Sequence, residues 1–249
     1  MPNHVSNVLE MEGITTLPIF ERDEKGNPTE LDFNTLIPMP EELNVTDDGI
    51  HLLRMEIVLR KLYKNLINYK NTEFMGQFHL KHMTGAPNIM TDEVYNEMID
   101  KYHFRENDEK FESDIETLKR GLGLLQNMVL HNGFTWYDWR VKHWGTKWNA
   151  YHLYIRDDDT ISFNTAWGAP HPFIDKLASL YPDKLIEHYW ADEQGGGVNA
   201  GHIIYQHGKP DGEYDTPGSN EGYEHFAYCW GWDCRELNEE EEDDGNNDE

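Results

Sequence analysis

Apolar side chains change their period twice along this chain, and that change constrains the fold more than any other feature. Phe111, Ile115, Leu118, Leu122, Leu125 and Val129 follow one another at steps of three or four residues, the spacing of one buried helix face. Asn132-Gly133 supplies a stop. Met55, Leu59, Leu62 and Leu66 form a like stripe in a helix over 52–69. A third helix over about 92–103 has Thr91 as N-cap and Asp92 and Glu93 in its first turn, where negative charge suits the helix dipole. On either side the period falls to two. Val5, Asn7, Leu9 and Met11 share one side of an N-terminal strand that ends at Gly13. Tyr151, Leu153 and Ile155 alternate with His152, Tyr154 and Arg156. Asp157-Asp158-Asp159-Thr160 reads as a turn, and Ile161, Phe163, Thr165 and Trp167 complete a hairpin. Pro170 and Pro172 open a helix whose apolar face is Phe173, Leu177 and Leu180 or Tyr181. Residues 185–190 and 198–206 read as strands around the glycine run 195–197, and 221–230 as a short helix.

Charge changes at the same places. Residues 1–50 hold 11 acids and 2 bases, 51–135 hold 12 and 11, 136–234 hold 15 and 7, and 235–249 hold 9 and 1. A nearly neutral helical middle between acidic, strand-rich flanks is expected to be a separate unit. The reading is α+β. A ferredoxin-like, antiparallel-rich sheet is built from 1–48 and 138–234, with 50–135 as a mainly helical insertion. Glu239 to Asp244 form a block of six like charges, so 235–249 is read as a disordered acidic tail.

The net charge of −26 argues against ordinary binding of nucleic-acid phosphates and of anionic membranes, both of which need basic patches. It suits a basic protein partner, or a surface that imitates nucleic acid. Much of the excess sits on the folded flanks, where it would speed association and respond to salt. No apolar run approaches the ~18 residues of a membrane span, and no signal peptide is visible. The two cysteines, Cys229 and Cys234, make no disulfide framework. The expected compartment is the cytoplasm.

Candidate sites follow from residue type. Trp144-Gly145-Thr146-Lys147-Trp148-Asn149 places two indoles around a glycine and a lysine. It reads either as a ligand platform with Lys147 over an indole, or as a corner in which Gly145 turns the chain, Trp144 and Trp148 fill the core and Asn149 bonds backbone. Trp148 and Trp167 are expected to be mostly buried. Asp157, Asp158 and Asp159 are the exposed acids expected to meet a basic partner. His79 and His82 have HxxH spacing, but no three- or four-ligand zinc motif accompanies them, so neither a metal nor a cofactor is expected. Asp192-Glu193 with His188 and His202 could form a carboxylate–imidazole pair. No nucleophile elbow, phosphate loop or dinucleotide fingerprint is present.

Several segments resemble the YubB-type family of phage- and plasmid-encoded proteins. They are Pro2-Asn3-His4-Val5, Leu31-Asp32-Phe33-Asn34 through Ile37-Pro38-Met39-Pro40, Trp144 through Ala150, and Phe163-Asn164-Thr165-Ala166-Trp167 on to Pro172 and Tyr189. The resemblance implies a ferredoxin-like C-terminal domain and a mobile-element origin, and names no chemistry. The function expected is a non-enzymatic accessory protein acting in the host cytoplasm on a basic, nucleic-acid-handling host protein. An anti-defence inhibitor or nucleic-acid mimic is its most concrete form. The alternative is an enzyme acting on a small ligand or nucleotide at the 144–149 corner. A third class, RNA stacking on Tyr154 and Trp167, sits badly with the charge.

Overall fold

The computed structural model describes residues 3–46, 113–195, 199–215 and 218–231, together with Met55 and Val58. The helices expected over 52–69 and 92–103, the His79/His82 pair, Cys234 and the 235–249 tail lie outside the described residues. The chain divides into two compact units, one of Met1–Met39 with Arg140–Glu249, the other of Pro40–Trp139.

In the first unit the strands are β1 (His4–Met11), β2 (Phe20–Arg22), β3 (Pro28–Leu31), β4 (Tyr151–Ile155), β5 (Thr160–Ala166), β6 (Ile186–Asp192), β7 (Ala200–Gln206) and β8 (Lys209–Asp215). β2 and β3 form a separate two-stranded ribbon, and the rest make one sheet in the order β4-β5-β1-β6-β7-β8. Every adjacent pair in that sheet is antiparallel. β1 lies between β5 and β6, which are joined through the helix His171–Leu180. This is the split βαβ arrangement of a ferredoxin-like fold, with β7 and β8 added beyond it. Both edges are irregular. On β4 the pairing jumps from Tyr151 opposite Asn164 to Tyr154 opposite Ser162, and His152 takes φ 54°. On β8 the edge carries Lys209 and Pro210.

The helices are α1 (Asp114–His131), α2 (Trp136–Trp144), α3 (His171–Leu180) and α4 (Asn220–Trp230). α3 and α4 cover opposite faces of the sheet. Odd-numbered β1 residues face α3, where Val5, Leu9, Ile161, Phe163, Phe173, Ile174 and Leu177 are buried. Phe33 sits among them, with its ring 4.5 Å from Phe173 and 5.7 Å from Trp144. On the other face Val8, Ala191 and Ala200 pack against Phe226 and Cys229 of α4. Alternation puts one side of each strand on each helix, which is why both faces of β1 are apolar.

In the second unit, α1 begins with a capping box. Ser113 Oγ accepts from the Glu116 amide, and the Glu116 carboxylate accepts from the Ser113 amide. It ends at Asn132 in the left-handed region, φ 54°, as the Asn-Gly stop implied. The buried face differs from the expected stripe. Thr117, Gly121, Leu124 and Asn127 are buried, while Ile115, Leu122 and Val129 are exposed. Met55 and Leu124 form the buried contact, with Leu118, Leu125 and Phe134 at its margin.

Candidate functional site

The six residues singled out from sequence fall into two groups at opposite ends of β4. At the N-terminal end is the tryptophan corner, and the fold uses most of its polar groups. Gly145 turns at φ 83°, and a Cβ there would meet the Ala169 carbonyl at 2.7 Å. Thr146 Oγ1 donates to the Ala166 carbonyl at 2.8 Å and accepts from its amide at 3.1 Å. Asn149 Oδ1 accepts from the Phe33 amide at 2.8 Å, and its Nδ2 donates to Asp32 at 2.9 Å. Trp144 is fully buried, and its Nε1 donates to the Ile37 carbonyl at 2.9 Å. Trp148 corrects the expectation: it is 37% exposed, with Lys147 Nζ 4.3 Å from its ring centre. Trp167 is 56% exposed as well. β5 stops at Ala166, and Trp167 takes φ 74°, which breaks the inward alternation that 161, 163 and 165 obey.

At the other end of β4 lies the acidic turn. Asp157 Oδ1 accepts from the Asp159 amide at 2.8 Å. The Asp158 carbonyl accepts from Thr15 Oγ1 at 3.1 Å, and Asp159 Oδ1 accepts from the Gly13 amide at 2.6 Å. Asp159 therefore tethers the turn to the end of β1, while the carboxylates of Asp158 and Asp157 stay at the surface. Beside this turn is a groove of about 300 Å³ lined by Glu10, Glu12, Asp159, Asp183, Glu187 and Lys184, among others. Lys184, the one cation among the described lining residues, is ion-paired with Glu12. Three separate segments (the end of β1, the β4–β5 turn and the entry to β6) thus bring their acids to one end of the sheet. Only the turn was singled out from sequence, because the rest meet through strand order.

The sheet also separates the histidines that sequence had grouped. Tyr189 is opposite His202, whereas His188 is opposite Ile203, so His188 and His202 face different helices. His188 is fully buried on the α3 side, its Nε2 3.1 Å from Asn7 Oδ1. Asn7 Nδ2 donates to Thr165 Oγ1 and to the Val5 carbonyl, each at 3.0 Å. Burial, with His171 and His202 nearby, holds the His188 imidazole well below its usual pKa and keeps it neutral. Asp192 is buried and accepts from the Gln194 amide at 3.0 Å.

On the α4 side, Tyr189 stacks on His202 with centroids 4.0 Å apart and planes 4° from parallel. His225 and Tyr228 of α4 meet the Tyr189 ring edge-on at 5.6 and 5.0 Å. Tyr189 donates to Glu187 at 2.9 Å, Tyr228 donates to Glu10, and His202 Nε2 is 3.3 Å from Glu187. Burial, reinforced by the carboxylate each phenol serves, raises both tyrosine pKa values, that of Tyr228 to about 12. Burial pushes the Cys229 thiol up to about 12 as well. These phenols and this thiol keep their protons at neutral pH, and the two phenols donate to Glu187 and Glu10. Among the described residues no cluster of three histidine, cysteine or acidic side chains is arranged to hold a metal ion. No described helix is long and apolar enough to cross a membrane.

Comparison with known proteins bears on the fold. A family model described as the ferredoxin-like domain in Api92-like protein matches residues 143–242. The chain therefore carries an Api92-like ferredoxin-like domain in its C-terminal part. No curated protein matches. A solved structure that matches is a protein api92 from Yersinia pseudotuberculosis. It is 10% identical and covers 86% of this chain and 98% of its own, with a TM-score of 0.33, too low to carry an argument about either function or fold.

Proposed function

We propose that this chain, with its Api92-like ferredoxin-like domain, is a non-enzymatic accessory protein that binds a basic protein partner through the acidic end of its sheet. The observation that carries the reading is the gathering of Glu10, Glu12, Asp159, Asp183 and Glu187 from three segments around one groove in which Lys184, the one lysine among the described lining residues, is already paired. Like charges brought together by folding raise the local negative potential, which favours and steers a basic surface. In its most concrete form the partner is a nucleic-acid-handling host protein, and the chain is an anti-defence inhibitor or nucleic-acid mimic of phage or plasmid origin. That part of the proposal rests on the YubB-type resemblance and on the net charge of −26. The enzyme alternative loses support at the corner, where Trp144, Thr146 and Asn149 spend their polar groups on backbone and on Asp32.

The test uses an oligo-arginine peptide as probe and compares two charge reversals of equal size. Asp157, Asp158 and Asp183 changed to Lys should weaken binding several-fold. Glu21, Glu24 and Glu30 changed to Lys on the β2–β3 ribbon should change it far less. Asp159 is left intact because it tethers β1 to the turn. Equal losses from the two triple variants would reduce the acidity to a general solubility feature and defeat the proposal.

A further inference from the structure

The outward side of α1 is apolar along most of its length. Ile115, Leu122 and Val129 are 66%, 60% and 82% exposed. They lie roughly opposite Thr117, Gly121, Leu124 and Asn127, the line that the unit buries. At 3.6 residues per turn, a spacing of seven returns each side chain to almost the same bearing, so the three form one stripe. Leu118 and Leu125 stand between the two faces and pack against the Met55–Leu124 contact. They fix the stripe to the core of its own unit. A row of exposed aliphatic side chains costs free energy in water until something covers it.

We propose that this face pairs with the same face of a second copy of the chain, in a parallel two-helix seam. The spacing selects that occupant. Ile115, Leu118, Leu122, Leu125 and Val129 follow a heptad, with Ile115, Leu122 and Val129 at the a positions and Leu118 and Leu125 at d. β-Branched side chains at two of the three a positions, with leucine at both d positions, favour two parallel strands. The charges beside the seam agree. Asp114 stands at g and Lys119 at e. In a parallel pair the g residue of one helix meets the e residue five positions on in the other, so Asp114 of each copy meets Lys119 of its partner. The wider charge distribution points the same way. Two copies at −26 repel one another, yet residues 51–135 hold 12 acids and 11 bases. α1 itself balances Asp114 and Glu116 against Lys119 and Arg120. Pairing through α1 therefore brings two acidic molecules together along the stretch that repels least. Little more than two heptads make a weak seam, so the pair depends on concentration. The inference is independent of the acidic groove, which belongs to the other unit.

Sedimentation of the full chain tests the seam. As concentration rises from about 1 to about 300 µM, the weight-average mass should climb from that of one chain toward that of two. Leu122→Lys sets two ammonium groups against each other at an a position and should hold the mass at one chain throughout. At the dilute end, where the parent is a monomer, this variant should melt with the parent, which separates loss of the pair from loss of the fold. Val129→Cys reads the orientation, in a Cys234→Ser background. Cys229 is buried and its thiol is raised to about 12, so it does not compete. Mild oxidation should join two Val129→Cys chains many-fold faster than two Gly123→Cys chains, because position 123 lies to the side of the stripe. A parent that stays a single chain across the range would overturn the proposal. So would a dimer that survives Leu122→Lys, or one that crosslinks no faster at 129 than at 123.

Discussion

Trp144 and Trp148 are four residues apart, yet the fold treats them oppositely. Trp144 is fully buried against Phe33 and bonded to the Ile37 carbonyl, while Trp148 lies at the surface under Lys147. Trp144→Ala should therefore cost about 3–5 kcal/mol in chemical denaturation, the range for truncating a core aromatic. Trp148→Ala should cost below about 1 kcal/mol, the scale of an exposed cation–π contact. A second residue-scale expectation concerns His188. Its folded pKa is depressed, so its contribution to stability is complete above the unfolded value of about 6.5 and is lost as pH falls. His202 and His225 are shifted the same way, chiefly by burial. The melting midpoint should drop between about pH 6.5 and 5. His188→Gln, which can still donate to Asn7, should flatten that slope; an unchanged slope would mean that His188 is charged or hydrated in the native state.

Among the elements, α1 shows where periodicity misleads. The stripe through Leu118, Leu122 and Leu125 is a true helical repeat, but the buried line runs one residue earlier, through Thr117, Gly121 and Leu124. Gly121 is the reason: a Cβ there would fall 2.5 Å from Met55 Sδ and 2.6 Å from Met55 Cβ, so the helix seats its smallest residue under Met55. Gly121→Ala gains about 1 kcal/mol of helix propensity but overpacks at a cost of about 1–3 kcal/mol. It should lower the melting midpoint, whereas Leu122→Lys on the exposed side should leave it within about 0.5 kcal/mol. The sheet was more legible. β1, β5, α3, β6, β7 and α4 all follow from alternation, proline starts and apolar faces near the positions expected. β8 was hidden because Pro210 and Gly212 are strand-breaking signals, and β2–β3 because both strands are short. The acidic groove was legible only at Asp157–Asp159, since Glu10, Glu12 and Asp183 join it through register. The aromatic cluster around Tyr189 was hidden for the same reason: it needs β6, β7 and α4 assembled, and no spacing in the chain announces that.

At the scale of the whole molecule, a net charge of −26 opposes its own compaction. Raising sodium chloride from about 0.02 to 0.3 M should therefore raise the melting midpoint by screening self-repulsion, while it weakens binding to a basic probe. Opposite salt trends in the two measurements would separate a stability effect from an interface effect; a midpoint that falls with salt would mean that local ion pairs outweigh the overall repulsion. The sheet edges act at this scale too. An open sheet ends in unspent amides and carbonyls that a second chain can copy, strand upon strand, into a fibril. Here one border is kinked at His152, where two residues face one, and the other carries a lysine and a proline with no amide to offer. A concentrated, quiescent solution should therefore stay free of thioflavin-binding material, and Lys209→Thr with Pro210→Thr should be the change that lets it form. The irregular borders of this sheet are what allow six strands to accumulate without inviting a seventh from a neighbour.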